Sequence, residues 1–142
     1  MSLTEAEIRQ LAVDWYRGLD VHAPMVELLG MLASDDLRMV FPEGIFNGLA
    51  GFERWYSDVI RLFFDETHTV ADVDPTITGD TAEVKVVVRW EASRWNPPAA
   101  HSERLRMDAY QTWTVARSPD GRVVISEYVV DKIEPLDGSA PL

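Results

Sequence analysis

Four side chains in this sequence combine a useful chemical type with a position that could do chemistry: Tyr16, His68, Gln111 and Asp131. Gln111 falls between Ala109 and Trp113 on the apolar face of an alternating segment. A buried amide there needs partners or costs roughly 1–3 kcal/mol, so it is either a structural amide or a donor to a ligand. His68 shares its parity with Val70, and an imidazole suits proton transfer near neutral pH, although an isolated histidine is more often structural or exposed. Tyr16 sits on the shoulder of a helical apolar stripe, where its hydroxyl either packs half-buried or meets a ligand. Asp131 shares a face with Val123, Ile125, Val129 and Ile133, which also holds Glu127. Val124, Tyr128 and Val130 form the alternative inner face, so the carboxylate is either an acid/base inside a cavity or a solvated edge group. Such residues could move a proton next to a carbonyl while donors hold the charge that develops.

Other chemistries find less to work with. The chain has no cysteine, which removes disulfides, thiolate ligands and a cysteine nucleophile and is compatible with a reducing cytoplasm. His22 and His101 fall in loops and share no ligand spacing with His68, so no metal site is expected. No phosphate-binding glycine loop occurs, so no nucleotide is expected, and any reaction should need no cofactor. With 13 basic and 24 acidic residues the formal charge is −11, which would repel nucleic acid and anionic lipid. No apolar run approaches the length of a membrane span and no signal segment is evident, so a cytoplasmic protein is expected.

The elements that must position these residues follow a simple order, with helices over residues 4–66 and long strands after Thr67. Leu3-Thr4-Glu5-Ala6-Glu7-Ile8 carries a capping box, Thr4 with Glu7, and a hydrophobic staple, Leu3 with Ile8. Ile8, Leu11, Ala12, Trp15 and Leu19 then recur at helical spacing until Gly18 and Asp20-Val21-His22 end the helix. Pro24 suits the first turn of a second helix with Met25, Leu28, Leu29 and Leu32 on one face. Leu37, Met39 and Phe41 alternate in a short strand that Pro42 stops. Gly44, Gly48 and Gly51 read as a flexible rim before a third helix bearing Phe52, Trp55, Tyr56, Val59 and Phe63.

Strands are expected over Thr67–Ile77, Ala82–Ala92, Glu103–Arg117 and Arg122–Ile133. Breaks come at Gly79-Asp80, Asn96-Pro97-Pro98 and Pro119-Asp120-Gly121, and a Pro/Gly-rich tail follows that should be frayed. Helices followed by strands argue an α+β fold in one domain over residues 1–142, with an ordered core at about 4–135 and a flexible C-terminal tail. Trp15, Phe41, Phe46, Trp55, Tyr56, Phe63, Trp90, Trp113 and Tyr128 all point toward one interior, with Met107 on the same strand face as Trp113. Most must be core, but some should line a pocket for a flat, mostly apolar molecule with carbonyl or hydroxyl groups.

At this point the residues resemble a family. The chain is similar over about residues 4–135 to the nuclear transport factor 2-like superfamily, and within it to the SnoaL-like polyketide cyclase and ketosteroid isomerase branches. Trp15-Tyr16-Arg17-Gly18-Leu19, Phe46-Asn47-Gly48, His68-Thr69-Val70, Gly79-Asp80-Thr81-Ala82 and Asp120-Gly121-Arg122-Val123-Val124 carry the resemblance. It implies a cone-shaped, curved antiparallel sheet wrapped around three N-terminal helices, a cystatin-like α+β barrel with a deep pocket, often paired as a homodimer through the sheet. The isomerase's oxyanion-binding tyrosine matches Tyr16, and its second donor matches Gln111, an amide that can still donate. Its general base matches Phe41, and a phenyl ring cannot take a proton. The SnoaL-like cyclases tend to carry an acidic residue near the end of the last strand, which Asp131 resembles. Asp131 is therefore the expected acid/base, with Tyr16 and Gln111 as donors and His68 orienting or sharing the proton.

Two classes of function follow from this reading. One is a cofactor-independent cyclase, isomerase or dehydratase, and the other is a non-catalytic ligand-binding or dimerising accessory protein. The outward strand positions Val87, Trp95, Tyr110 and Thr112 are more apolar than a solvated face needs. They suggest a homodimer packed sheet against sheet and burying on the order of 1,500 Å² or more.

Overall fold

The computed structural model describes residues 2–142. Its elements run α1 (Glu5–Asp20), α2 (Met25–Leu29), β1 (Arg38–Phe41), β2 (Gly44–Asn47), α3 (Gly48–Leu62), β3 (Phe63–Thr78), β4 (Thr81–Arg94), β5 (Glu103–Arg117) and β6 (Val123–Pro135). Apart from the β1–β2 hairpin set between α2 and α3, helices precede strands, in keeping with the α+β reading. The six strands form one open sheet in the order β2-β1-β6-β5-β4-β3. The long strands β3 to β6 are antiparallel neighbours, whereas β1 lies parallel to β6, with Met39 opposite Tyr128. The sheet is therefore mixed at one end rather than wholly antiparallel.

Local chemistry explains most of the element boundaries. The Thr4 hydroxyl accepts the Glu7 N–H while the Glu7 carboxylate accepts the Thr4 N–H, closing the capping box at the start of α1. Gly44–Asn47, read from sequence as flexible rim, instead forms β2 and pairs with β1 through Met39↔Phe46 and Val40↔Ile45. Phe63, expected on the third helix, is the first residue of β3, so α3 passes directly into the strand. The C-terminal tail is tied along β5: the Leu136 and Ala140 N–H groups donate to the carbonyls of Arg106 and Arg104, both at 2.9 Å. Arg94 also donates to the Pro141 carbonyl at 2.7 Å.

The core lies between the helices and the concave face of the sheet. Trp15 and Tyr16 from α1, Phe52 and Tyr56 from α3, Trp113 from β5 and Tyr128 from β6 are all buried there. Their rings touch in tilted and stacked pairs, such as Trp15–Tyr128 at 5.7 Å and Trp113–Tyr128 at 5.3 Å. Gly51 allows α3 to meet the backbone of β2. A Cβ built there would lie 2.9 Å from the carbonyl carbon of Phe46. Alanine gains about 1 kcal/mol of helix propensity over glycine, but pushing a helix off a paired strand costs about 1–3 kcal/mol. Gly51→Ala is therefore expected to lower stability by about 1 kcal/mol in denaturant titration, although alanine is the better helix former.

Bulges decide which side chains face inward. In β6 the register passes from Gln111↔Val130 to Tyr110↔Lys132, leaving Asp131 as the extra residue, and from Thr114↔Glu127 to Val115↔Ile125, leaving Ser126. Between the bulges Tyr128 and Val130 point inward, and beyond the second Ile133 does as well. In β3 a similar irregularity between Phe64 and Thr67 includes Asp65, whose φ is +54°. It sets Glu66 and His68 on the inner face opposite β4, where His68 pairs with Trp90.

Candidate functional site

A cavity of about 490 Å³ opens between the helices and the sheet. Leu19, Phe41, Trp55, Val59, Phe63, Val88, Trp90, Ala109, Val130 and Ile133 give it a mainly apolar wall, and Leu142 from the tail joins them. Glu66, His68, Gln111 and Tyr128 supply polar groups, and Glu43 and Arg94 are the other charged residues in the wall. A mostly apolar chamber with a few converging polar groups is the usual form of a small-molecule site.

His68 is held at two points by Asp20, the last residue of α1. Its ring Nδ1 lies 2.6 Å from one carboxylate oxygen, and its backbone N–H donates to the other at 3.0 Å. An ionised carboxylate can only accept, so Nδ1 carries a ring proton, and the neutral ring held this way has its lone pair on Nε2. The Tyr16 ring stacks on the imidazole with centroids 4.8 Å apart, which fixes the ring plane. The imidazole is 10% exposed and lies in the cavity wall. An oriented imidazole with one free nitrogen has the form of a general base.

Gln111 is fixed with equal definition. Its side-chain oxygen accepts the Tyr16 hydroxyl at 3.0 Å and the Trp113 indole N–H at 2.9 Å. An indole N–H can only donate, which settles the amide orientation and leaves the –NH₂ group for the cavity that Gln111 lines. Burial drives the Tyr16 hydroxyl well above the usual tyrosine range, and the neighbouring Tyr128 adds to this. Burial also raises Tyr128, and its neighbours Tyr16, Trp15 and Gln111 oppose this. Both phenols are therefore neutral near pH 7 and serve as hydrogen-bond donors. Tyr16 thus links two side chains of the cavity wall, touching His68 with its ring and Gln111 with its hydroxyl.

The expected site residues divide clearly in space. His68, Gln111, Phe41, Trp55, Trp90 and Tyr128 line the cavity as the sequence suggested. Tyr16 stands behind His68 and Gln111 rather than in the wall. Trp15, Tyr56, Met107 and Trp113 are core packing, and the Tyr56 hydroxyl donates to the Ala23 carbonyl at 2.6 Å. Phe46 is half-buried and packs edge-on against Phe41 with centroids 5.9 Å apart. Asp131 is corrected outright. The extra residue Ser126 reverses the facing of the strand after Ile125 and leaves Asp131 on the convex face, where it is exposed and accepts the Thr112 hydroxyl at 2.6 Å. It cannot exchange a proton with anything in the cavity.

Three participants were missed from sequence: Asp20, His22 and Glu66. His22 Nε2 lies 2.5 Å from a Glu66 oxygen, so two histidine–carboxylate pairs cross between the end of α1 and the start of β3. One signal was available. Asp20 is an acid at a helix C-terminus, where the helix dipole disfavours negative charge, and a carboxylate kept there calls for a donor partner.

This architecture is shared with solved structures. The chain aligns with a nuclear transport factor 2-like superfamily protein from Salmonella enterica at 14% identity and TM-score 0.76, over 96% of this chain and 91% of the other. A ketosteroid isomerase-like protein from Erwinia carotovora aligns at 16% identity and TM-score 0.72, over 98% and 100%. The hexachlorocyclohexane dehydrochlorinase LinA-type3 from Novosphingobium barchaimii aligns at 19% identity and TM-score 0.74, over 96% and 92%. The chain therefore has the nuclear transport factor 2-like fold. No protein-family model and no curated protein matches the sequence. Among the described residues, no helix is long and apolar enough to cross a membrane.

Proposed function

We propose that this protein is a cofactor-independent lyase or isomerase that removes a proton from carbon in a small, mostly apolar molecule, with His68 as the base. The observation that carries this reading is the His68–Asp20 pair in the wall of an apolar cavity. His68 Nε2 would take the proton, and the C–H electron pair would form a carbon–carbon double bond. In an elimination the leaving group departs from the next carbon with its own electron pair. In an isomerisation the charge moves onto a carbonyl oxygen, and His68 returns the proton further along the conjugated system. The Gln111 –NH₂ and the Tyr128 hydroxyl are the donors for the oxygen or leaving group that gains charge. This role replaces the one expected for Asp131.

The reading is tested with a panel of β-hydroxy ketones, β,γ-unsaturated ketones and chlorinated cycloalkanes. Turnover is followed spectroscopically, and carbon-bound deuterium uptake is followed by NMR in D₂O. Turnover or exchange with at least one class supports it. Tight binding of panel members without exchange or turnover would instead favour a ligand-binding protein. We also propose a homodimer formed through the convex face around Val87, Tyr110 and Thr112, and a sedimentation run at micromolar concentration should give twice the 16.1 kDa chain mass.

A further inference from the structure

Glu66 has no part in the proton transfer proposed above, yet it is the most deeply buried charged side chain of the cavity. Its side chain is 2% exposed. The β3 irregularity and the left-handed backbone of Asp65 turn it inward, and His22, itself at φ +51°, meets it from the end of α1. One carboxylate oxygen lies 2.5 Å from His22 Nε2, and the other accepts the Trp90 indole N–H at 3.0 Å. A carboxylate has about four lone-pair sites, so each oxygen can accept once more. Arg94, the cation in the same wall, is committed to Glu103 at 2.8 Å.

We propose that Glu66 is a recognition group that selects apolar ligands carrying a hydroxyl donor. The inference rests on the cavity being a small-molecule site. A hydroxyl placed against this carboxylate would gain a charge-assisted bond in surroundings that exclude water, which is stronger than the same contact in solvent. An ammonium group is disfavoured, because it would have to shed its hydration in an apolar chamber, a far larger cost than a neutral hydroxyl meets. Glu66 and His68 are two residues apart on one strand face, on the order of 6–7 Å along the chain. The favoured substrate therefore carries its hydroxyl roughly one ring-width from the carbon that loses the proton.

Calorimetric titration with four naphthalenes tests this. 2-Naphthol donates and accepts, 2-methoxynaphthalene only accepts, 2-methylnaphthalene does neither, and 2-(aminomethyl)naphthalene is a cation. The methoxy compound controls for donation by Gln111 and Tyr128. Wild-type protein should bind 2-naphthol at least about ten-fold more tightly than 2-methoxynaphthalene. Glu66→Gln should bring the two within about three-fold, because the new amide can also donate to the ether. Glu66→Asp, which retracts the charge by one methylene, should narrow the ratio and serves if the glutamine variant does not fold. His68→Ala should leave the ratio in place. Equal wild-type affinities, a ratio untouched at position 66, a ratio lost in His68→Ala, tightest binding of the cation, or no binding of any probe would each overturn the proposal. A hydroxyl preference in a protein that exchanges no carbon-bound proton would leave it standing while removing the reading of His68 as a base.

Discussion

Replacing His68 by alanine is expected to lower turnover of any substrate found in the panel by roughly 10²–10⁴-fold, the usual contribution of a positioned general base. KM should move by only a few-fold, because the ring is one small part of a largely apolar wall. Asp20→Asn should cost up to about 10⁴-fold. An asparagine can offer its –NH₂ to Nδ1 and so favour the tautomer whose Nε2 is already protonated. The fall should appear in kcat rather than KM, which separates an orienting role from a loss of binding. Asp131→Asn is expected to keep full activity, since that carboxylate bonds Thr112 on the convex face. Wild-type turnover in His68→Ala would remove the imidazole from the mechanism. A strong effect of Asp131→Asn would mean that the last strand carries a different register in solution.

The largest loss of stability is expected from Trp113→Ala. Trp113 is fully buried and touches Tyr16 and Tyr128, with ring centroids at 5.8 Å and 5.3 Å. Truncating a buried tryptophan costs about 3–5 kcal/mol, a large share of the roughly 5–15 kcal/mol that stabilises a domain. A denaturant midpoint within error of wild type would show that the packing can collapse around the lost ring. Trp113→Phe is the more informative companion. It keeps most of the volume but removes the indole N–H that fixes the Gln111 oxygen at 2.9 Å. The amide is then free to invert, and the Tyr16 hydroxyl can adapt by accepting instead of donating. Activity is expected to fall about ten-fold while the fold survives, and a changed Gln111 side-chain amide resonance would report the inversion.

How much of this could be read from the chain depends on how local each cause is. The α1 capping box is a contact between Thr4 and Glu7, three residues apart, and it reads directly from the sequence. The alternation of Ala82, Val84, Val86, Val88 and Trp90 gives the inner face of β4, because side chains on a pleated strand alternate by necessity. The same rule placed Gln111 inward between Ala109 and Trp113, since no bulge interrupts β5 in its ladder with β4. His68 was correctly placed on the inner face for the same reason, sharing its parity with Val70.

The site itself lay beyond that reach. Asp20 and His68 are 48 residues apart, and His22 and Glu66 are 44 apart. No periodicity links such residues. They meet because α1 packs across the start of β3, a consequence of the whole core. The parallel pairing of β1 with β6 likewise joins residues about ninety positions apart, as in Arg38 opposite Glu127. Bulges are the sharpest case. One extra residue in β6, Ser126, sends Tyr128 and Val130 inward and Asp131 outward, although strict alternation sets Asp131 with the buried Ile125. By itself the sequence determined the order of elements, the apolar faces and the inward placement of His68 and Gln111, because these follow from hydrogen-bond and side-chain periodicities inside one element. Tertiary structure alone decided which carboxylate holds His68, which one lines the cavity and which one faces solvent, because one inserted residue reverses a strand's facing and only packing between distant elements determines where it is inserted.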